Sequence, residues 1–182
     1  MALSAIVLSD LHLGAPASVL NDGRVPFEPP GAQDGAGRRV VRHGDAAREA
    51  LAATLMNAAG GRPVERLVLL GDLVDLSHAA FPTAIGQLRS FLEVVRAALP
   101  ELGAVVWVPG NHDRHWWALQ TTHDAVAAPL LDGRLPAATE AVRRTTPPEG
   151  RRDPPLVRAP IADALGPVPL VVAYPDYTFR AG

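Results

Sequence analysis

Short apolar runs alternate along the chain with longer stretches in which apolar residues recur at helical spacing. Ser4 to Ser9 (SAIVLS), Arg66 to Leu70 (RLVLL), Ala104 to Val108 (AVVWV) and Val168 to Ala173 (VPLVVA) have the brevity and the aliphatic content of buried strands. Between them the pattern predicts helices over Asp45 to Ala59, stopped by Gly60-Gly61, over Thr83 to Leu99, stopped by Pro100, and from about Trp116 to Leu131, before Asp132-Gly133. Strands that are apolar on both faces and alternate with helices predict an α/β protein whose sheet is covered by helices.

Two stretches interrupt the alternation. Ala15 to Gly44 is rich in Gly, Pro, Asp and Arg and reads as a long loop inserted after the first strand. Pro136 to Pro169 is read as irregular for the same reason. Loops of this length in a compact domain are commonly functional or disordered. No repeat and no strong domain boundary is visible, so residues 1–182 are expected to form a single domain.

Composition narrows the function classes. With 48% hydrophobic and 20% charged residues over 182 positions, the chain can bury a real core. A net charge of -2 gives no bulk attraction to nucleic acid or anionic membrane, and local patches such as Arg38-Arg39-Val40-Val41-Arg42 and Arg151-Arg152 are read as solvated loop charge; all seventeen basic residues are Arg, which points to no function. Cysteine is absent, which removes disulfides, thiolate catalysis and Cys-based metal sites. MALSAIVLSD lacks a basic n-region and reads as a first strand instead of a signal peptide, and no apolar run nears the ~18 residues of a membrane span. A cytoplasmic location is the default expectation.

The chemistry gathers at strand ends. The first strand runs into Ser9-Asp10-Leu11-His12, the second into Gly71-Asp72-Leu73-Val74-Asp75, and the third into Gly110-Asn111-His112-Asp113. Ligands bind α/β sheets at the carboxyl ends of the strands, where the connecting loops converge. Taken singly each cluster is weak, since an Asp after a strand serves equally well as a helix cap or an Asx turn. A lone His12 reads first as a half-buried, hydrogen-bonded imidazole. Three strands delivering Asp, His and Asn to one rim change the balance, because carboxylate, imidazole and amide donors together suit divalent Mn, Fe or Zn.

SDLHLG at 9 to 14, GDLVD at 71 to 75 and GNHD at 110 to 113 resemble, in order and context, the first three sequence blocks of the calcineurin-like metallophosphoesterases. The resemblance implies a β-sandwich flanked by helices and a dinuclear site in which a metal-bound hydroxide attacks a phosphoester. It implies that Asp10 and His12 bind the first metal, that Asp72 bridges both, and that Asn111 binds the second. It makes His112 the proton donor or charge stabiliser over the scissile phosphate, with Asp75 holding its ring. Asp113 is read as the cap of the following helix, and His115, three residues beyond His112, as a candidate substrate contact. Trp116 and Trp117 are read as helix packing, His78 as a surface-loop residue near the cleft, and His43 and His123 remain unassigned.

The family pattern also carries two later His blocks, whereas no His follows His123. Two expectations compete: the N-terminal part of a longer phosphoesterase, or a naturally short, degenerate binding module. Either should bind metal weakly and turn over poorly, and in the first an unpaired sheet edge with an uncovered apolar face should favour dimers or aggregates. The expected substrate is a small phosphomonoester or phosphodiester, with manganese the simplest metal to test, and the alternative is a DNA repair type nuclease of the same superfamily. Mild acidity and the lack of a basic, aromatic-studded surface weigh against nucleic acid.

Overall fold

The computed structural model describes residues 2–23, 44–136, 149–175 and 177. The predicted strands appear as β1 (Ile6–Ser9), β2 (Val64–Leu70), β3 (Leu102–Val108) and β5 (Leu170–Val172). They lie in one sheet of order β1-β2-β3-β5-β4, all parallel except β4 (Arg151–Arg152), which runs antiparallel to β5. Among the described residues the strands form this one sheet, and β1 pairs with β2 alone.

Between the strands run α1 (Gly44–Ala59), α2 (Phe81–Ala98) and α3 (Arg114–Thr122), the last passing through a π-helical turn (His123–Ala127) into α4 (Ala128–Leu131). α2 starts at Phe81-Pro82, where proline fits the first turn because its missing N–H has no intrahelical acceptor there. Its buried face, Ile85, Leu88, Phe91, Leu92 and Val95, follows the three-to-four spacing of an amphipathic helix. Those side chains join Leu67, Leu69, Val105, Trp107, Leu170 and Val172 in one core cluster. Each fully buried Leu or Phe of this kind contributes roughly 1.5–3 kcal/mol. Trp116 packs against Trp107 at 5.2 Å and Phe81 at 5.7 Å between ring centroids, so the tryptophans serve packing as read from sequence.

The stretch read as irregular needs correction. Beyond the undescribed 137–148 it holds β4, α5 (Pro155–Arg158), a 3-10 turn (Ala159–Ile161) and α6 (Ala162–Leu165). Val157, Ile161, Ala164 and Leu165 of these turns close the core beneath α2 and α3. Most of the Ala15 to Gly44 insertion, with His43, lies outside the described residues. The second face of the sheet is apolar. Val68, Val106 and Val108 on it are buried, whereas Val7 is 53% and Leu70 48% exposed.

Candidate metal centre

Parallel pairing brings the carboxyl ends of β1, β2 and β3 to one rim, in register: Ser9 lies opposite Leu70, and Leu70 opposite Val108. Beyond these pairs the chains kink together. Asp10 (φ 54°), His12 (φ 46°) and Asp72 (φ 45°) all adopt left-handed backbone, which is costly for residues other than glycine. Pairing then resumes: the His12 N–H donates to the Asp72 carbonyl at 2.8 Å, Leu13 N–H to Leu73 at 3.0 Å, and Asp75 N–H to Leu13 at 3.0 Å. Strain of this type concentrates at functional sites, where surrounding hydrogen bonds hold it in place.

The third strand end closes on the second. The Gly71 N–H donates to the Val108 carbonyl at 2.8 Å, and the His112 N–H to Asp72 Oδ1 at 2.9 Å. A Cβ at Gly110 would collide with the Asp72 backbone nitrogen and Oδ1, so only glycine lets the β3 turn approach this closely. Glycine at 110 therefore makes room for Asp72 itself. Asp113 does not cap α3: its side chain makes no capping bond there. Fully buried, it instead accepts from the backbone N–H groups of Leu73 (2.7 Å), Val74 (3.4 Å) and Gly110 (2.6 Å) and from the Trp107 indole (3.2 Å). Burial pushes its carboxyl above the ordinary value, against the lowering effect of those donors.

The side chains assemble around two carboxylates. His12 presents Nε2 to Asp72 Oδ2 at 3.9 Å and Nδ1 to Asp75 Oδ2 at 3.4 Å. His112 places Nδ1 3.1 Å from Asp75 Oδ1, and its ring meets that of His12 edge-on at 5.0 Å. Asp75 is 3% exposed. Burial alone raises its pKa, but hydrogen bonds to His112 and His78 and the charges of both rings together hold it below the usual carboxylate value. The same hydrogen bond to Asp75 raises His112 above an ordinary imidazole, outweighing desolvation, with the charges of Asp75, Asp72 and Asp113 adding to the rise.

His78, read from sequence as a surface-loop residue, is exposed but engaged: its Nδ1 lies 3.0 Å from Asp75 Oδ2, and its ring stacks on His112 at 6.1 Å and 20°. The Asp-x-x-His spacing of Asp75 and His78 across one turn is the signal that marks it in the sequence. Asp10 and Asn111 stand exposed at the ends of β1 and β3, on the same rim, with no side-chain hydrogen bond among the described residues. His115 is exposed on the first turn of α3, and His123 faces Asp124 Oδ1 at 3.4 Å.

Donor chemistry and spacing suit a cation. Ligand atoms of His12, Asp72 and His112 lie within 4.8 Å of one another, as do those of Asp75, His78 and His112. Imidazole nitrogen with carboxylate oxygen is the donor set of Mn, Fe and Zn sites. Fold and site together define an α/β protein with a metal-competent acid–imidazole centre at the carboxyl rim of a parallel sheet. The chain matches the family model of calcineurin-like phosphoesterases over residues 3–145 and belongs to that family. No curated protein and no solved structure compared with it gives a match. Family and centre together support a metal-dependent hydrolase of phosphoester bonds. Among the described residues no helix is long and apolar enough to cross a membrane.

Proposed function

We propose that the rim of β1, β2 and β3 holds two divalent metal ions and hydrolyses a small phosphomonoester or phosphodiester. The observation that carries this reading is the convergence of His12, Asp72, Asp75 and His112 from three strand ends. Asp10 and His12 are assigned to the first ion, Asp72 to both, and Asn111 to the second. When bound, a metal pair supplies an activated water and charge neutralisation for in-line displacement at phosphorus.

The chain's own groups do the rest. Asp75, ionised and buried, fixes the Nδ1–H form of His112 and turns its Nε2 away from the carboxylate, toward the rim. With its pKa raised, His112 carries a proton on Nε2 more readily, positioned for a phosphoryl oxygen or a departing alkoxide. The His12 Nδ1 contact with Asp75 orients its opposite nitrogen toward Asp72, as an orienting partner does for a metal-ligating imidazole. His115, on the first turn of α3, is assigned to the outer part of the substrate.

The test is hydrolysis of p-nitrophenyl phosphate and bis(p-nitrophenyl) phosphate by the full chain with added manganese. Stimulation by the metal, lost in Asp72→Asn and reduced at least tenfold in His112→Ala, is the expected result. Absence of turnover on both esters, or activity indifferent to Asp72→Asn, would overturn the assignment. Cleavage confined to DNA would replace the small-molecule substrate with a nucleic acid.

A further inference from the structure

Every acceptor direction of Asp75 is occupied, and the partition is asymmetric. Oδ1 accepts from the backbone N–H groups of Ser77 (3.0 Å) and His78 (3.1 Å) and from His112 Nδ1 (3.1 Å). Oδ2 faces His78 Nδ1 at 3.0 Å and His12 Nδ1 at 3.4 Å. An ionised carboxylate only accepts, so His78 and His112 both present Nδ1–H to it and both turn Nε2 outward. The two rings stand 6.1 Å apart and 20° from parallel, whereas His12, facing the same carboxylate, meets His112 edge-on.

We infer that His78 is a positioning residue for His112: by holding Asp75 Oδ2, it fixes the rotation of the carboxylate that aims Oδ1 at the His112 ring. The inference rests on the proposed hydrolase reading only for its kinetic consequence; the geometric claim stands apart from it. Three features support it. The backbone that carries His78 is locked to the carboxylate it binds, because the Asp75 carbonyl accepts from Ala79 N–H at 3.1 Å while Oδ1 accepts from His78 N–H. The side chain is 61% exposed, so burial in the core does not account for its placement. His12, the other group near Oδ2, is farther from it, and the proposed function commits its Nε2 to a metal beside Asp72. With the His78 side chain removed, Oδ1 keeps its two backbone bonds while Oδ2 keeps only this weaker contact, so the carboxylate loses its restraint on that side and can pivot about Oδ1 toward His12.

The distinguishing variants exploit the shape of the side chains. Asn places an amide N–H where the His Nδ1–H was and restores the bond to Oδ2, whereas Gln places its amide nearer the Nε2 position and does not. Wild type, His78→Ala, His78→Asn and His78→Gln are compared by manganese-dependent hydrolysis of p-nitrophenyl phosphate and by nitrogen NMR of the His112 ring in the metal-free chain. The expected kinetic result is a kcat loss of about tenfold in the Ala and Gln variants at unchanged KM, the usual scale for losing an orienting partner, with Asn within about threefold of wild type. The expected spectroscopic result is a single Nδ1–H tautomer for His112 in wild type and His78→Asn, and a tautomer mixture in His78→Ala and His78→Gln. Rescue by Gln in place of Asn, or a raised KM in place of a lowered kcat, would mean that His78 acts through Nε2 on the substrate and would overturn the inference, and equal damage in Asn and Gln would overturn it too. An unchanged His112 tautomer in His78→Ala would overturn it as well. If wild type shows no hydrolysis, the tautomer measurement still decides the inference while the proposed function fails on its own.

Discussion

Asp113 Oδ2 accepts the backbone N–H of Leu73 at 2.7 Å, so the turn after β3 is bolted to the turn after β2 by one fully buried carboxylate. The same side chain also holds Val74, Gly110 and Trp107. Asp113→Ala therefore strands several donors at once, each costing about 1–3 kcal/mol when left unpaired. The expected loss in urea unfolding is on the order of 3 kcal/mol, with the β2 and β3 turns separating and manganese affinity falling with them. A loss below about 1 kcal/mol would show that water replaces the carboxylate and that the bolt is weak.

Gly110→Ala tests the closeness of the same two turns. The added methyl group meets the Asp72 backbone nitrogen as well as its carboxylate, and because the backbone cannot rotate away, relief requires the β3 turn to retreat. Overpacking of this kind costs about 1–3 kcal/mol. Because the His112 N–H bond to Asp72 Oδ1 depends on the same approach, metal binding is expected to weaken more than global stability. Calorimetric manganese titration beside thermal unfolding separates the two effects.

How far the sequence reveals this arrangement differs from element to element. β2 and β3 are visible because LVLL and AVVWV are apolar runs that end in polar turns, and the family blocks sit on those ends. β4 is invisible because it is Arg151–Arg152, a pair with no apolar face that joins the sheet only through the backbone of β5. The small helices after it are masked by prolines, which read as breakers yet occupy first-turn positions at Pro155 and Pro160. Asp113 resembles a helix cap by position, and only tertiary packing reveals that its carboxylate points back to β2. His78 looks like a loop residue until the turn at Asp75 folds it onto the carboxylate it follows by three positions.

The Asp75–His112 pair sets a pH window for stability. The folded pKa of His112 lies above 6.5, so its contribution is complete below that value and fades as pH rises through the raised folded value. The folded pKa of Asp75 lies below 3.8, so its contribution is complete above that value and fades as pH falls through the lowered one. Both are present between pH 3.8 and 6.5. The stability difference between wild type and Asp75→Asn, followed by urea midpoint against pH, is expected to peak in that interval and shrink on either side. Asp113 titrates with the opposite sign, because burial raises its pKa, but it is common to both proteins and cancels in the difference. A difference that is flat across the interval would show that the pair is not ionic.

Metal binding is the most direct test of the rim, and backbone strain decides which variant is informative. Asp72 sits at φ 45°, a conformation that Asn tolerates better than Ala, so Asp72→Asn removes the charge without forcing the turn to rearrange. Manganese at a hundred times its dissociation constant stabilises a binding-competent fold by about 2.7 kcal/mol. For a chain of this size that corresponds to a rise of about 5–10 °C in Tm. Wild type is expected to show the rise and to lose it on chelation, while Asp72→Asn keeps its metal-free Tm within a few degrees and shows no rise. His12→Asn, also at a left-handed position, is expected to behave in the same way. His78→Asn should retain the shift, because its ring contacts Asp75 and is assigned to neither ion. A manganese shift that survives in Asp72→Asn would place the ion elsewhere, with the Asp75, His78 and His112 group the next donor set to examine.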